Sequence, residues 1–228
     1  MHQKIVTLTN PGGSFFGDTL RAEVAKTGLA PPIAFNHQDK ETTLNSRPPI
    51  RFVATKGWVG AIFEEGAEDH LPGVVAAMTQ VVLPKLTTET LTCRTHDATL
   101  AASATEQPIT YAAKNIAVKR YAGIPKGKHC PSTFRQELRG AALLEYAIRQ
   151  SLTQAYQSGL IPDLPPDEEL ELKILDTKDS GVGPHSLVSG TFQMRLNLTG
   201  LWQFGTLQSK GYGMIAKQNK GGFFQWIY

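Results

Sequence analysis

"ITYAAKNIAVKRY", residues 109–121, reads as a strand, and it opens the second half of a 228-residue chain much as "KIVTLT" (4–9) opens the first. After KIVTLT comes "SFFGDTLRAEVAKTG" (14–28), a helix with Ser14 placed to cap its start and Gly28 just past its end. "PIAFNHQ" (32–38) and "PIRFVATKGWVGAIF" (49–63) read as further strands, the second folding into a hairpin near Lys56 and Gly57. Pro72 suits a first helical turn, so a second helix occupies the later part of "GAEDHLPGVVAAMTQVV" (66–82), and a last strand is expected over 89–94. Strand, helix, strands, helix, strand is an order that folds into a ferredoxin-like unit, an antiparallel sheet with its helices on one face.

From residue 109 the pattern starts again. A loop, "AGIPKGKHCP" (122–131), leads to the clearest helix of the chain, over about 132–158. Thr133 and Gln136 make a capping box there, and Gly159 stands where a C-terminal glycine belongs. Phe134, Leu138, Ala141, Ile148, Leu152 and Ala155 fall on one face of that helix, which should be buried. A proline-rich acidic connector (161–169) precedes strands at 170–175 and 186–198, and residues 95–110, polar and alanine-rich, read as a linker. The expected fold class is α+β, with two tandem ferredoxin-like units spanning 1–105 and 106–228.

The composition, 41% hydrophobic and 19% charged, is that of a globular protein. No stretch is long and apolar enough to span a membrane, and "MHQKIVTLTNPGG" lacks the apolar core of a secretory signal, so a cytoplasmic location without a membrane partner is expected. Two cysteines, Cys93 and Cys130, match no paired ligand spacing; they read as reduced thiols, with no metal and no cofactor implied.

The net charge of +3 is unevenly spread. Residues 1–110 carry 9 basic and 11 acidic side chains, whereas residues 111–228 carry 14 and 9. Within 111–149 lie Lys114, Lys119, Arg120, Lys126, Lys128, Arg135, Arg139 and Arg149 against only Glu137 and Glu145, a footprint suited to a polyanion. If the helix runs as expected, Arg135, Arg139, Tyr146 and Arg149 line up beside its buried face. Arginine forks bond phosphate bidentately, and a tyrosine ring offers a base a stacking surface. The plainer alternative is a solvated face on which Arg139 and Arg149 pair with Glu137 and Glu145.

"GTLQSKGYGMI" (205–215) sets Gly205, Gly211 and Gly213 around Ser209 and Lys210. Glycines permit positive φ and close approach, so this turn can cradle a phosphate with amides and one charge. It is no nucleotide P-loop, because no Gly-Lys-Ser/Thr opens a helix here. Placed after two ferredoxin-like units and a basic helix, it resembles the glycine-rich loop of the RAMP superfamily of CRISPR-associated RNA-binding proteins, and within it the repeat-processing endoribonucleases. "TLRAEVAKTG", "IAFNHQ" and "RPPIRFVATKGWVGAIFEEGAE" are similar in order to the N-terminal unit of some of those nucleases, and "KGGFFQWIY" is similar to the tail of the type I-F enzyme. The compact size suits a type IV system.

That resemblance implies attack of a 2′-hydroxyl on the adjacent phosphate without metal, leaving a 2′,3′-cyclic phosphate and a 5′-hydroxyl. Such chemistry needs a base near neutrality, cations on the phosphorane and a proton for the leaving oxygen. His37 matches the histidine-bearing strand and is the first candidate for acid or base; His129, among lysines, is second, while His70, His96, His2 and His185 read as surface or loop residues. Relatives that cut without histidine keep Lys210, Ser209 and Arg120 as candidates. The implied partner is a repeat RNA hairpin, with other CRISPR effector subunits beside it; Lys119, Arg120, Lys126, Lys128, His129, Arg135, Arg139, Tyr146, Arg149 and the three loop glycines would hold the RNA. "CPSTFRQELRGA" (130–141) also resembles backbone subunits of the superfamily, so a subunit that binds RNA and cuts nothing is the alternative. A small metabolic enzyme finds no support in paired carboxylates or a nucleophile elbow.

Overall fold

The computed structural model describes residues 1–35, 48–87, 90–119, 138–182, 185–219 and 224–225. The chain divides into two compact units, one formed by Met1–Leu100 with Leu207–Gly211 and the other by Ala101–Thr206 with Tyr212–Ile227.

In the first unit β1 (His2–Thr9), α1 (Gly17–Thr27), β2 (Ile50–Ala54), β3 (Trp58–Glu64), α2 (Leu71–Val82) and β4 (Cys93–Thr99) follow one another. The sheet order is β2-β3-β1-β4 with every neighbour antiparallel, the ferredoxin-like arrangement expected from the element order. Alternation along the strands puts Val6, Leu8, Ile50, Phe52, Val59, Ala61 and Phe63 on the face that packs with Leu20 and Val24 of α1 and Val74, Ala77 and Met78 of α2. The other face carries Arg51, fully buried, with its Nη2 3.1 Å from Glu64 Oε1.

The second unit repeats the plan with β5 (Ala101–Lys119), α3 (Gly140–Gln157), the single turn α4 (Asp167–Leu170), β6 (Lys173–Val182), β7 (His185–Thr199), β8 (Met214–Gln218) and β9 (Phe224–Gln225). Its order, β6-β7-β5-β8-β9, matches the first sheet strand for strand with β9 added at one edge. Where α2 joins the third and fourth strands of the first sheet, residues 200–213 join β7 to β8, and Leu207–Gly211 among them belong to the first unit. Tyr111 anchors the core: its ring stacks on Phe192 at 5.5 Å, and its hydroxyl donates to the Leu196 carbonyl (2.8 Å) while accepting the Leu198 N–H (2.9 Å).

Several expectations hold. Gly28 and Gly159 both take positive φ just past helices, Pro72 lies in the first turn of α2, and β2 and β3 form the hairpin around Lys56 and Gly57. Others are corrected. Residues 95–110 form no linker but the end of β4 and the start of β5; β4 is largely exposed, so polar residues suit it, and pairing with β1 holds it in place. Pro32–Phe35 is a 3-10 turn and not a strand, Ser14 does not cap α1 because the helix begins after Phe16, and His2 and His185 open strands. Among the described residues no helix is long and apolar enough to cross a membrane.

Candidate nucleic-acid interface

The glycine-rich segment is locked to the protein's own backbone. Gly205, Gly211 and Gly213 have φ of 78°, 80° and 79°, and Leu207, at φ 60°, shares the left-handed region. A β carbon on Gly205 would lie 2.5 Å from the Ala117 carbonyl oxygen, and one on Gly211 would lie 2.7 Å from that of Phe52. These glycines are therefore required by the fold, through conformation and close packing together.

Five of the segment's amides are already committed. Gly205 N–H donates to Ser151 Oγ (2.9 Å), Thr206 N–H to the Ala117 carbonyl (2.7 Å) and Gly213 N–H to the Asn115 carbonyl (3.0 Å). Lys210 N–H and Gly211 N–H close the 3-10 turn Gln208–Lys210 onto Leu207 and Gln208 at 2.9 and 3.0 Å. Those amides are not open to a phosphate, and what the turn can offer an anion is the side chain of Lys210 with the Ser209 hydroxyl beside it. Lys210 is half-buried and makes no ion pair with a described residue.

Residues that the sequence reading did not single out hold this geometry. Asn115 interrupts β5 at φ 52°, making the bulge whose carbonyl receives Gly213, and Ser189 Oγ accepts the Asn115 N–H at 2.9 Å. Ser151, buried in α3, donates to the Ala147 carbonyl and accepts from Gly205. A serine on an otherwise apolar helical face was the available signal. Gly17 lies in the first turn of α1, where a β carbon would stand 2.6 Å from the Lys210 carbonyl oxygen. Arg21 of α1 donates to the Phe35 carbonyl at 2.7 Å and lies 5.5 Å over that ring, with burial lowering its pKa.

The basic candidates fall into three groups. His37, Arg120, Lys126, Lys128, His129 and Arg135 lie outside the described residues, as does the expected capping box. Lys119 is exposed at the end of β5, in register with His185. On the described part of the long helix the stripe shortens: α3 begins at Gly140, so Arg139 precedes it in extended backbone, exposed. The buried face is Leu143, Leu144, Ala147, Ile148, Ser151, Leu152 and Ala155, while Ala141 is exposed. Tyr146 is half-buried, and Arg149 pairs with Glu145 (Nε to Oε1, 2.9 Å) and with Asp167. Among the described residues no group of three or more His, Cys, Asp or Glu side chains is placed to hold a metal ion.

A family model described as type IV CRISPR-associated endonuclease Csf5 matches residues 1–220. Among solved structures, the chain is similar to "Csf5, CRISPR-Cas type IV Cas6 crRNA endonuclease", with a TM-score of 0.78 and 18% identity over 96% of this chain and 100% of that one. It is also similar to a crystal structure of Cas6b (TM-score 0.58, 15% identity, 95% and 100% covered) and to that of a CRISPR RNA processing endoribonuclease Cas6b (TM-score 0.50, 14% identity, 95% and 100% covered). At such identities these likenesses speak for the fold. No curated protein matches the chain.

Proposed function

From the premise that the chain belongs to the type IV CRISPR-associated endonuclease Csf5 family, we propose that it binds the repeat hairpin of precursor CRISPR RNA and cuts it by metal-independent transesterification. In this reaction the 2′-oxygen bonds to the scissile phosphorus as the bond from phosphorus to the 5′-oxygen breaks. The 2′-hydroxyl proton goes to a base and the leaving 5′-oxygen takes one up, so the products carry a 2′,3′-cyclic phosphate and a 5′-hydroxyl.

The observation that carries this reading is the setting of Lys210. Two left-handed residues, Leu207 and Gly211, bracket a turn whose amides bond internally, which leaves the Lys210 ammonium, in no ion pair with a described residue, as the group that can meet charge developing on the phosphorane. Ser209 stands next to it as a hydroxyl donor. His37 is the base or acid in this scheme. Lys119, Arg139 and Tyr146 hold the RNA, together with Arg120, Lys126, Lys128, His129 and Arg135, and Arg149 joins them if its carboxylate partners release it. Other effector subunits are the further partners, and the cytoplasm is where the RNA would be met.

The test is incubation with labelled repeat RNA in EDTA, beside a substrate carrying one 2′-deoxy nucleotide at the cut. Cleavage that the deoxy substitution abolishes, with a 5′-hydroxyl product, supports the proposal. Tight binding without cleavage would replace it with a backbone or capping subunit, and cleavage only with added divalent metal would replace the mechanism.

A further inference from the structure

We infer that Phe16, with Lys56, Lys85 and Lys210 around it, forms a platform for single-stranded RNA flanking the hairpin; this rests on the RNA-binding reading above. Phe16 is 67% exposed, and its backbone is fixed on both sides. On one side Asn10 Oδ1 accepts the Phe15 N–H at 3.2 Å, while Asn10 Nδ2 donates to the carbonyls of Phe15 (3.2 Å) and Thr55 (2.6 Å). On the other, Gly17 is buried against Lys210. The ring is thus displayed by a rigid support, and an ordered aromatic surface spares a ligand the entropy of arranging it.

Three lysines neighbour that support. The Lys85 ammonium lies 4.1 Å over the ring centroid of Phe15. Lys56 packs against the same loop, where its carbonyl oxygen and Cγ would lie 3.5 and 3.6 Å from a β carbon on Gly13. Lys210 supplies the third, its main chain packed on Gly17. None of the three lies within ion-pair distance of a described carboxylate, although Glu23, whose carboxyl is held below its usual range chiefly by Lys26, also feels the Lys85 charge. The adjacent carboxylate, Asp18, accepts the Thr19 N–H at 2.9 Å. A lone exposed ring is ordinary on a protein surface. An exposed ring on a fixed backbone, with three lysines on the same support, offers a strand of nucleotides both contacts it makes, a stacking face for bases and ammonium groups for phosphates, with little regard for sequence.

The experiment compares a fluorescently labelled repeat hairpin bearing single-stranded flanks with the bare hairpin, by anisotropy, using the full chain. Phe16→Ala should weaken binding of the flanked RNA roughly tenfold and leave the bare hairpin unchanged, and Phe16→Tyr should bind both as the parent does. Lys56→Ala and Lys85→Ala should each lower the salt dependence for the flanked RNA by about 0.7 in the log–log slope. Unchanged binding in Phe16→Ala would overturn the inference and leave the ring to a protein partner; an equal loss on both RNAs would overturn it as a flank site. In both of those outcomes the parent still binds the hairpin, so the proposed function stands. If the parent bound flank strands through Phe16 yet ignored the hairpin, the proposed function would fall and the platform stand. Binding of neither RNA would overturn both.

Discussion

A β carbon on Gly213 would stand 1.8 Å from the carbonyl oxygen of Phe204, and the Phe204 N–H donates to the Gly213 carbonyl at 2.8 Å. The two legs of the glycine-rich segment therefore run back to back with no space for a side chain. Gly213→Ala would combine a disfavoured positive φ with a backbone clash, and a loss of roughly 3 kcal/mol or more is expected. Denaturant unfolding should show it directly, with RNA affinity falling as a consequence. Parental stability combined with lost RNA binding would mean that the close approach serves the ligand instead.

Lys210 and Gly211 are adjacent but should fail differently. Gly211→Ala meets the Phe52 carbonyl oxygen and Gly17 Cα, at 2.7 and 3.0 Å from its β carbon, so it should lower the melting temperature clearly. Lys210→Ala removes a side chain in no ion pair with a described residue and should change stability by no more than about 0.5 kcal/mol. Its effect should appear in cleavage rate and in the salt dependence of binding, with a slope lower by about 0.7 for one lost phosphate contact. A Lys210→Ala variant that cuts at the parental rate would remove this lysine from the mechanism.

Ser151→Ala deletes the acceptor of the part-buried Gly205 N–H. Leaving that donor without its acceptor, together with loss of the hydroxyl's bond to the Ala147 carbonyl, should cost about 1 kcal/mol. The midpoint of urea unfolding should fall accordingly. An unchanged midpoint would show that water or a shifted turn replaces the hydroxyl.

Much of the fold was legible because it rests on local rules. Alternation in KIVTLT and PIRFVATKGWVGAIF, the glycines after two helices and the proline opening α2 are signals that tertiary packing reinforces. What escaped depends on pairing at a distance. β4 is polar and is a strand because β1 lies beside it, and Tyr111 reaches main-chain partners 85 and 87 residues away. At the candidate interface the glycines stand out in the sequence, but what they pack against does not. Their carbonyl neighbours, Ala117, Phe52 and Phe204, are far enough along the chain that no motif reveals them.

Tyr111 gives a pH test. Burial pushes its hydroxyl up to about 12, against a smaller opposing pull from the Leu198 amide. The neutral phenol is thus favoured by the folded state. Its contribution is fully present below the unfolded value of about 10 and is lost as pH rises through about 12, a fall of roughly 2–3 kcal/mol. Tyr111→Phe should be less stable at neutral pH, since two hydrogen bonds go, and should lack this part of the alkaline decline. Parallel stability profiles for parent and variant between pH 9 and 12 would show that the hydroxyl titrates normally in the folded chain.

Arg139 and Arg149 separate the two readings of the basic helix. Arg139 is exposed ahead of α3, with no ion pair to a described residue, while Arg149 is shared between Glu145 and Asp167. A guanidinium already neutralised by two carboxylates gains little from a phosphate unless it abandons them, and those surface pairs themselves contribute little to stability. Arg139→Ala should therefore weaken repeat-RNA binding and lower its salt slope by about 0.7, whereas Arg149→Ala should do neither. If the two variants lost equal affinity, the pairs of Arg149 open on binding, and Asp167→Asn should then tighten binding by freeing the arginine in advance. No gain from Asp167→Asn would leave Arg149 a structural tie between α3 and the acidic turn that follows it.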